Sequence, residues 1–240
     1  MSEQQSISKE FWGKDNPIRQ KFTPILPFSP PYMVFPMEDF AERSEKLQEL
    51  LSERLELQSY TNSDTPTDFF NQDEDYVGWK TAIFNDFFAK EIELISKAWF
   101  DWMVETKESS AGRIFDYPYV GEDSTYNHDE HGLLVTSCWI EQAQTFHQHL
   151  PHDHGHEAFS CVLYAGYDEE SHDAATLISP YKSPDGMVYQ YLPNIRQGDI
   201  LVIPGNIMHY TTQNRSVKPR TVIVFNLMFK RYADLISELK

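Results

Sequence analysis

Hydrophobic positions in the first half of the chain recur at helical spacing. The apolar positions between 47 and 55 lie three or four residues apart among Glu, Arg and Lys, which predicts an amphipathic helix over about 38–58. A second, largely aromatic face between 84 and 102 predicts a longer helix over about 77–104. Proline-punctuated residues 1–35 predict an extended arm, and the polar stretch 59–76 predicts an acidic loop.

The pattern changes after residue 112 to short apolar runs bounded by Gly, Pro, Asn and Asp. Such runs at this spacing are typical of an antiparallel sandwich or barrel. The pattern therefore predicts an α+β protein with three parts: a helical N-terminal support (1–110), a β-domain (111–230) and a C-terminal helix (231–240). The predicted strands are 133–140, 159–167, 175–179, 187–191, 199–203 and 221–229.

Charge and composition narrow the classes of partner. A formal net charge of −17 argues against nucleic acid and against anionic membranes, because both require clustered Lys and Arg. The sequence has no apolar stretch long enough to span a bilayer, and its polar first residues lead us to expect no signal peptide. Only two cysteines occur, which favours buried thiols and a cytoplasmic location.

Five histidines between positions 147 and 156 are the strongest chemical signal. Residues two apart in a strand share a face, so a His-x-His pair can direct two imidazoles at one ion. His152-x-His154 precedes a strongly β-prone run, whereas Pro151 is expected to break a ladder containing His147 and His149. We therefore predict His152 and His154 as metal ligands, and leave open whether His147 or His149 replaces one of them.

A second element supplies a distant histidine and an arginine. A Gly-Asp turn, an apolar strand and Pro204-Gly205 lead to His209, the third predicted metal ligand. Arg220 opens the next apolar run, and its planar guanidinium is suited to a carboxylate in an apolar pocket. The arrangement predicts an iron site at His209 and an arginine that binds the far end of a five-carbon diacid.

These motifs resemble those of a known family. Residues 135–230 resemble the 2-oxoglutarate–Fe(II) oxygenases, in a branch known mainly from marine bacteria and their phages. The resemblance implies a double-stranded β-helix, which is a jelly-roll, cupin-like fold, with Fe(II) and 2-oxoglutarate as cofactors. It rests on Trp139, His152-x-His154, Ser160-Cys-Val-Leu-Tyr164, Ser179-Pro180, Gly198-Asp-Ile-Leu-Val-Ile-Pro204, His209, Arg220 and Phe225-Asn226.

The cofactor pocket that the resemblance implies centres on Arg220, with Tyr164 and Asn206 as further candidates to line it. The family pattern has a serine two residues after the arginine, and this chain has Val222. Another hydroxyl is therefore expected to complete the carboxylate site. Tyr164 or Thr211 could supply it from a neighbouring strand.

The resemblance implies hydroxylation of a C–H bond, with release of succinate and CO2. The expected substrate is a small molecule or a peptide. Two alternatives remain at this point: a three-histidine, cupin-type dioxygenase that does not use 2-oxoglutarate, and a non-catalytic metal-binding jelly roll. The oligomeric state stays open, with a homodimer as one option, and the cytoplasm of a phage-infected host is included in the expected location.

Overall fold

The computed structural model describes residues 32–58, 66–106, 125–155, 157–182 and 188–230. Most of the predicted N-terminal arm and the predicted C-terminal helix lie outside these residues. No helix in the described part of the chain has the length and apolarity needed to cross a bilayer. The described helices are α1 (Phe40–Leu51), α2 (Glu74–Phe87), α3 (Ala89–Thr106) and the short α4 (His128–His131).

The long helix predicted over 77–104 is two helices that meet at Phe88. The hydrogen bonds Phe88 N–H to Phe84 O and Ile92 N–H to Phe88 O continue across the junction, while Phe88 itself leaves helical geometry at φ −96° and ψ 12°. The Phe88 ring is fully buried and stacks on Phe225 at 4.5 Å between centroids. The junction thus places the Phe88 ring against the β-sheet that contains Phe225. At the start of α2, the Asp73 side chain accepts the Tyr76 N–H.

Nine strands form two antiparallel sheets in the described chain. The larger sheet has the order β1-β7-β4-β9-β2, and the smaller has the order β3-β8-β5-β6. The two sheets contribute to one apolar interior, so the strands form the predicted double-stranded β-helix of an α+β fold. The strands are β1 (Met33–Pro36), β2 (Leu133–Ala143), β3 (His149–His152), β4 (Phe159–Gly166), β5 (Thr176–Lys182), β6 (Val188–Tyr191), β7 (Asp199–Pro204), β8 (His209–Thr211) and β9 (Arg220–Phe229).

The larger sheet has a core on each face because its side chains alternate. On β9, Phe225 and Leu227 belong to the core that includes the helices, whereas Val224 belongs to the core between the two sheets. Arg220 and Asn226 have the same parity as Val224. The helices therefore cover the outer face of the larger sheet, and the polar side chains of β9 point between the sheets.

Three of the described strands were not predicted from the sequence. β1 falls in the predicted arm and pairs with β7, so part of the N-terminal segment belongs to the larger sheet. β3 contains Pro151, contrary to the expectation that this proline breaks a ladder. The proline is tolerated because β3 is an edge strand, with a register irregularity between His149 and His152. β8 has only three residues, which is too short for a periodic pattern. The division of the chain at residue 110 stays a prediction.

A buried ion pair fixes the loop before α2 onto the larger sheet. Lys80 Nζ lies 2.5 Å from Asp68 Oδ2, and both side chains are almost fully buried. Asp68 also accepts the Tyr76 hydroxyl at 2.6 Å and the Ile140 N–H of β2 at 2.8 Å. The Asp68 carboxylate thus accepts from three donors where the loop meets β2. Phe70 follows two residues later in this loop.

Replacing Lys80 with methionine should strongly destabilise the protein. The substitution leaves the Asp68 carboxylate buried without its cation, which typically costs about 3–5 kcal/mol of the free energy of unfolding. Urea denaturation measures the change. Lys90→Met is the matched control, because Lys90 forms an exposed ion pair with Glu38, and it should leave the midpoint nearly unchanged.

Adding Asp68→Asn to Lys80→Met removes the stranded charge and should recover part of the loss. Equal midpoints for Lys80→Met and Lys90→Met would show that the buried pair does not anchor the loop.

Candidate metal centre

Three of the histidines predicted as ligands converge at one end of the β-helix. His152 ends β3, His209 begins β8, and the two residues pair in the antiparallel register of the smaller sheet. His154 follows β3 in a loop, and its backbone N–H donates to Gly205 O at 2.7 Å. Strand pairing and this loop contact therefore bring together residues that are more than fifty positions apart in sequence.

The three imidazoles are close enough to share one ion. One ring nitrogen of each lies within 4.8 Å of those of the other two. The ring centroids of His152 and His209 are 4.3 Å apart, and His154 lies 5.3 Å from His152 and 5.1 Å from His209. Among the described residues, this is the group of His, Cys, Asp or Glu with geometry suited to a metal.

The hydrogen bonds at Nδ1 of the three rings direct the same atom, Nε2, of each imidazole to a metal, and Nε2 of His154 has one long contact, 3.5 Å from Ser160 Oγ. Nδ1 of His152 lies 2.8 Å from Leu150 O, and Nδ1 of His209 lies 2.9 Å from Ile207 O. A carbonyl oxygen can only accept, so Nδ1 carries the hydrogen and Nε2 keeps its lone pair. Nδ1 of His154 makes the equivalent contact with Asn226 Oδ1 at 2.8 Å. Such outer contacts are the usual way in which ligating histidines are oriented.

The three rings are held in the neutral form that binds metals. Burial lowers the pKa of His209 to about 3 and that of His154 to about 4. Burial and the charge of neighbouring His149 also lower the pKa of His152. Neutral imidazole is the ligand form, so at neutral pH a metal need not displace protons from these nitrogens.

His154 is positioned by two features that its own sequence motif does not show. Asn226 lies on β9, and its amide Nδ2 donates to Ser137 Oγ at 3.0 Å, which directs Oδ1 toward His154. Gly205 packs so closely against the loop that an added Cβ would lie 2.1 Å from Glu157 O. Any larger residue at 205 would displace the loop that carries His154. Asn226 was present in the matched motif but was not assigned a role.

His149 lies beside the triad but has another partner. Its ring stacks on that of His152 at 4.1 Å, and its Nδ1 lies 3.2 Å from Glu141 Oε2. Burial raises the pKa of Glu141, but the hydrogen bond to His149 and the charges of His149 and Arg220 outweigh burial and hold this pKa below its usual value. The geometry therefore places His149 outside the group of three and next to it.

The remaining histidines make contacts elsewhere. His147 Nδ1 accepts the Gln144 N–H, and His172 bridges Asp168 N–H and Lys218 O. His128 pairs with Glu93, and His131 is buried against Phe100. His156 lies outside the described residues. Neither His147 nor His149 belongs to the group of three whose ring nitrogens lie within 4.8 Å of one another, so the geometry favours His152, His154 and His209 as the ligands.

Arg220 is buried between the two sheets and bound to the smaller one. Its side chain donates to Thr211 Oγ1 at 2.8 Å and to Asp173 O at 2.9 Å. These two bonds occupy two of the five guanidinium N–H groups. Thr211 lies two residues after His209 on β8, a separation of about 6.5 Å along a strand. Thr211 thus supplies the hydroxyl beside Arg220 that Val222 lacks.

The other two candidates for the cofactor pocket differ in position. Tyr164 is buried in the core between the sheets, and its hydroxyl accepts the Ala175 N–H at 2.9 Å, which leaves the hydroxyl hydrogen for an acceptor. Burial raises the Tyr164 pKa, and the charge of Arg220 opposes that rise. Asn206 is exposed in the turn between β7 and β8, so its position gives no support to the prediction that it lines the pocket.

A cavity of about 300 Å³ opens beside His152 and His154. One wall is aromatic and comes from the loop before α2 and from β2, and the sequence analysis did not find it. Phe69 and Phe70 lie in the predicted acidic loop 59–76. Two adjacent aromatic residues form no periodic pattern, so the sequence does not indicate that they line a site. The lining residues are Thr67, Phe69, Phe70, Ser137, Trp139, Glu141, Gln148, His149, His152, Asp153, His154 and Asn226.

Solved structures of other proteins are similar to this chain. The epimerase SnoN in complex with Fe3+, alpha ketoglutarate and nogalamycin RO is 11% identical, covers 82% of this chain and 78% of its own, and superposes with a TM-score of 0.52. An oxidoreductase of the 2OG-Fe(II) oxygenase family from Burkholderia pseudomallei is 11% identical, covers 83% and 87%, and has a TM-score of 0.49. At this level of identity the similarity concerns the fold. No curated protein matched the sequence.

A family model matches the part of the chain that contains the site. Residues 137–226 match the family described as "Putative 2OG-Fe(II) oxygenase". The matched segment includes His152, His154, His209 and Arg220. Over this segment, the chain is similar to that family.

Proposed function

We propose that this protein is an Fe(II)- and 2-oxoglutarate-dependent oxygenase that hydroxylates a C–H bond of a small molecule and releases succinate and CO2. The observation that carries the proposal is the combination of three imidazoles close enough to share one metal with a buried arginine, Arg220, that is bound to Thr211, two residues along the strand from His209. The family match supports the same chemistry.

The donor set fits iron. Three neutral imidazoles bind divalent first-row metals, and three protein ligands leave coordination positions open for exogenous groups. His152, His154 and His209 would hold the ion. The structure of SnoN, which has a similar fold, contains Fe3+ and alpha ketoglutarate. When bound, iron and 2-oxoglutarate would supply the oxidising chemistry, which belongs to the cofactors rather than to protein side chains.

Arg220 and Thr211 fit the distal carboxylate of the diacid. A guanidinium with free N–H groups in a buried site binds a carboxylate strongly, because charged hydrogen bonds are about twice as strong as neutral ones. The Arg220–Thr211 pair also favours this reading over a cupin-type dioxygenase without 2-oxoglutarate, since two hydrogen bonds use only part of a buried guanidinium and a diacid carboxylate would pair with its charge. The protein's contribution is then to bind, orient and shield the reacting groups.

Release of succinate from 2-oxoglutarate tests the proposal. The purified protein, supplied with Fe(II), O2 and ascorbate, should form succinate slowly even without its primary substrate. His209→Ala is the matched inactive variant, because it removes one ligand at the end of a strand. If succinate forms at the same rate with both proteins, or with neither, the proposed activity is wrong.

Metal affinity should separate His152 from its stacked neighbour His149. His152→Ala removes a ligand and should reduce Fe(II) affinity by more than the roughly 10–100-fold that is typical for loss of an outer partner. Asn226→Leu removes the partner of His154 Nδ1 and should fall within that range of about 10–100-fold. Anaerobic equilibrium dialysis with metal analysis measures both.

His149→Ala is the control for this series, and it should keep Fe(II) affinity close to that of the wild type. A larger loss for His149→Ala than for His152→Ala would exchange the two assignments.

Arg220→Ala should weaken 2-oxoglutarate binding by more than a hundredfold. Truncating one partner of a buried charge pair costs about 3–5 kcal/mol, and every 1.4 kcal/mol is about tenfold in affinity. Arg220→Lys should recover only part of the affinity, because an ammonium lacks the planar fork. Thr211→Val should cause a smaller loss. Anaerobic calorimetry with metal-loaded protein gives the dissociation constants.

Arg215→Ala is the control for non-specific loss of positive charge, since Arg215 is exposed. Wild-type affinity in Arg220→Ala would place the carboxylate site elsewhere.

A further inference from the structure

The cavity beside His152 and His154 differs in character from the site around Arg220. Neither Arg220, Thr211 nor His209 lines it. It meets the group of three histidines at His152 and His154, and its aromatic wall is formed by Phe69, Phe70 and Trp139. It therefore offers room for a molecule other than the diacid, next to the metal position.

The aromatic wall is held in a fixed position. Phe69 contacts Trp139 edge-to-face at 4.9 Å and Phe70 at 5.1 Å. Trp139 in turn stacks on His154 at 5.6 Å, with the rings 15° from parallel. The buried Asp68–Lys80 pair fixes the backbone next to Phe69. The wall is thus connected through rigid contacts to a predicted metal ligand.

The wall leaves apolar surface uncovered. Phe69 is 44% exposed and Phe70 is 49% exposed, although both are large aromatic side chains in a protein with well-filled cores. Exposed aromatic residues that line a concave site are more typical of ligand recognition than of packing. A ligand that covered these rings would remove this apolar surface from water.

The charged groups of the cavity are acidic. Glu141 and Asp153 line it, and the set of lining residues includes no Lys or Arg. Glu141 is engaged by His149, whereas Asp153 is exposed and uses Oδ1 to accept the Gly155 N–H. The chain as a whole has a net charge of −17. Anionic substrates such as phosphate esters are therefore disfavoured, and cations are attracted.

We propose that the primary substrate is a small molecule with an ammonium or guanidinium group on an apolar carbon skeleton. The face of an aromatic ring attracts a cation, and a nearby carboxylate adds to this attraction. Phe69, Phe70 and Trp139 contact the apolar skeleton and attract its cationic end, and Asp153, at the exposed rim, pairs with the cation. The inference rests on the proposed function for its meaning as a substrate site, but binding itself requires no metal or co-substrate.

A set of three probes of equal length tests the proposal: hexylamine, hexanol and hexanoate. Binding to the metal-free protein is followed by chemical-shift titration of the Trp139 indole N–H. Hexylamine should bind about fivefold or more tightly than hexanol, which is the range expected of a cation on an aromatic face. Hexanoate should bind most weakly.

Variants of the cavity locate the interaction. Phe70→Ala should weaken hexylamine binding, and Asp153→Asn should reduce the preference for hexylamine over hexanol, while the asparagine Oδ1 still accepts the Gly155 N–H. Phe146→Ala is the matched control, because Phe146 is 67% exposed and does not line the cavity. This variant should bind hexylamine like the wild type.

Tighter binding of hexanoate than of hexylamine, or binding of hexylamine that is unchanged in both Phe70→Ala and Asp153→Asn, overturns the proposal. Absence of binding by all three probes also overturns it. None of these outcomes bears on succinate formation, so the failure of this inference and the failure of the proposed function are distinguishable.

Discussion

The candidate metal centre depends on the hydrogen bonds at Nδ1 of its three imidazoles. Two of these bonds go to carbonyl oxygens two residues earlier in the chain, so the backbone next to each histidine also orients its ring. The third goes to Asn226, on a strand of the other sheet. Because an oxygen acceptor fixes the hydrogen on Nδ1, all three rings offer Nε2. Without these contacts, three nearby histidines would have no common orientation toward an ion.

Strand β9 connects this centre to the rest of the protein. Its outward side chains, among them Phe225, pack against the helices, and its inward side chains include Arg220 near one end and Asn226 toward the other. The same strand thus orients one metal ligand, carries the candidate carboxylate site and joins the sheet to the helical layer. Packing of the helices on the outer face therefore bears on the geometry of the site, although no helix supplies a metal ligand.

The loop before α2 contributes side chains to the cavity beside the metal centre. Asp68 satisfies Lys80, Tyr76 and a backbone N–H of β2, and the next two residues are the aromatic pair of the cavity. A buried polar network is costly unless every member is satisfied, and here the four partners fix one loop conformation. The N-terminal half of the chain thus contributes Phe69 and Phe70 to the cavity, while the three histidines and Arg220 come from the C-terminal half.

The sequence predicted the parts that have a local signature. The long runs 159–167 and 221–229 have strong β-propensity, and β4 and β9 fall within one residue of them. The His-x-His pair, His209 and Arg220 were identified by residue type and spacing, and the structure brings the three histidines together. Thr211 was one of two hydroxyls considered, and it contacts Arg220.

The features that the sequence could not reveal depend on contacts between distant segments. β3 and β8 are too short for periodicity, and the tolerance of Pro151 depends on the edge position of its strand. Asn226 acts through a ring that is seventy-two residues away, and the Phe69–Phe70 pair is defined by a cavity to which other elements contribute. Asn206 was a candidate to line the pocket, but it is exposed in the turn between β7 and β8.

An anaerobic crystal structure with Fe(II) and 2-oxoglutarate tests the central claim most directly. The account predicts one iron bound by Nε2 of His152, His154 and His209, with the diacid extending from the metal to Arg220. A metal bound by Glu141, Asp153 or His149 in place of one of the three histidines would contradict it, as would a diacid whose distal carboxylate lies away from Arg220.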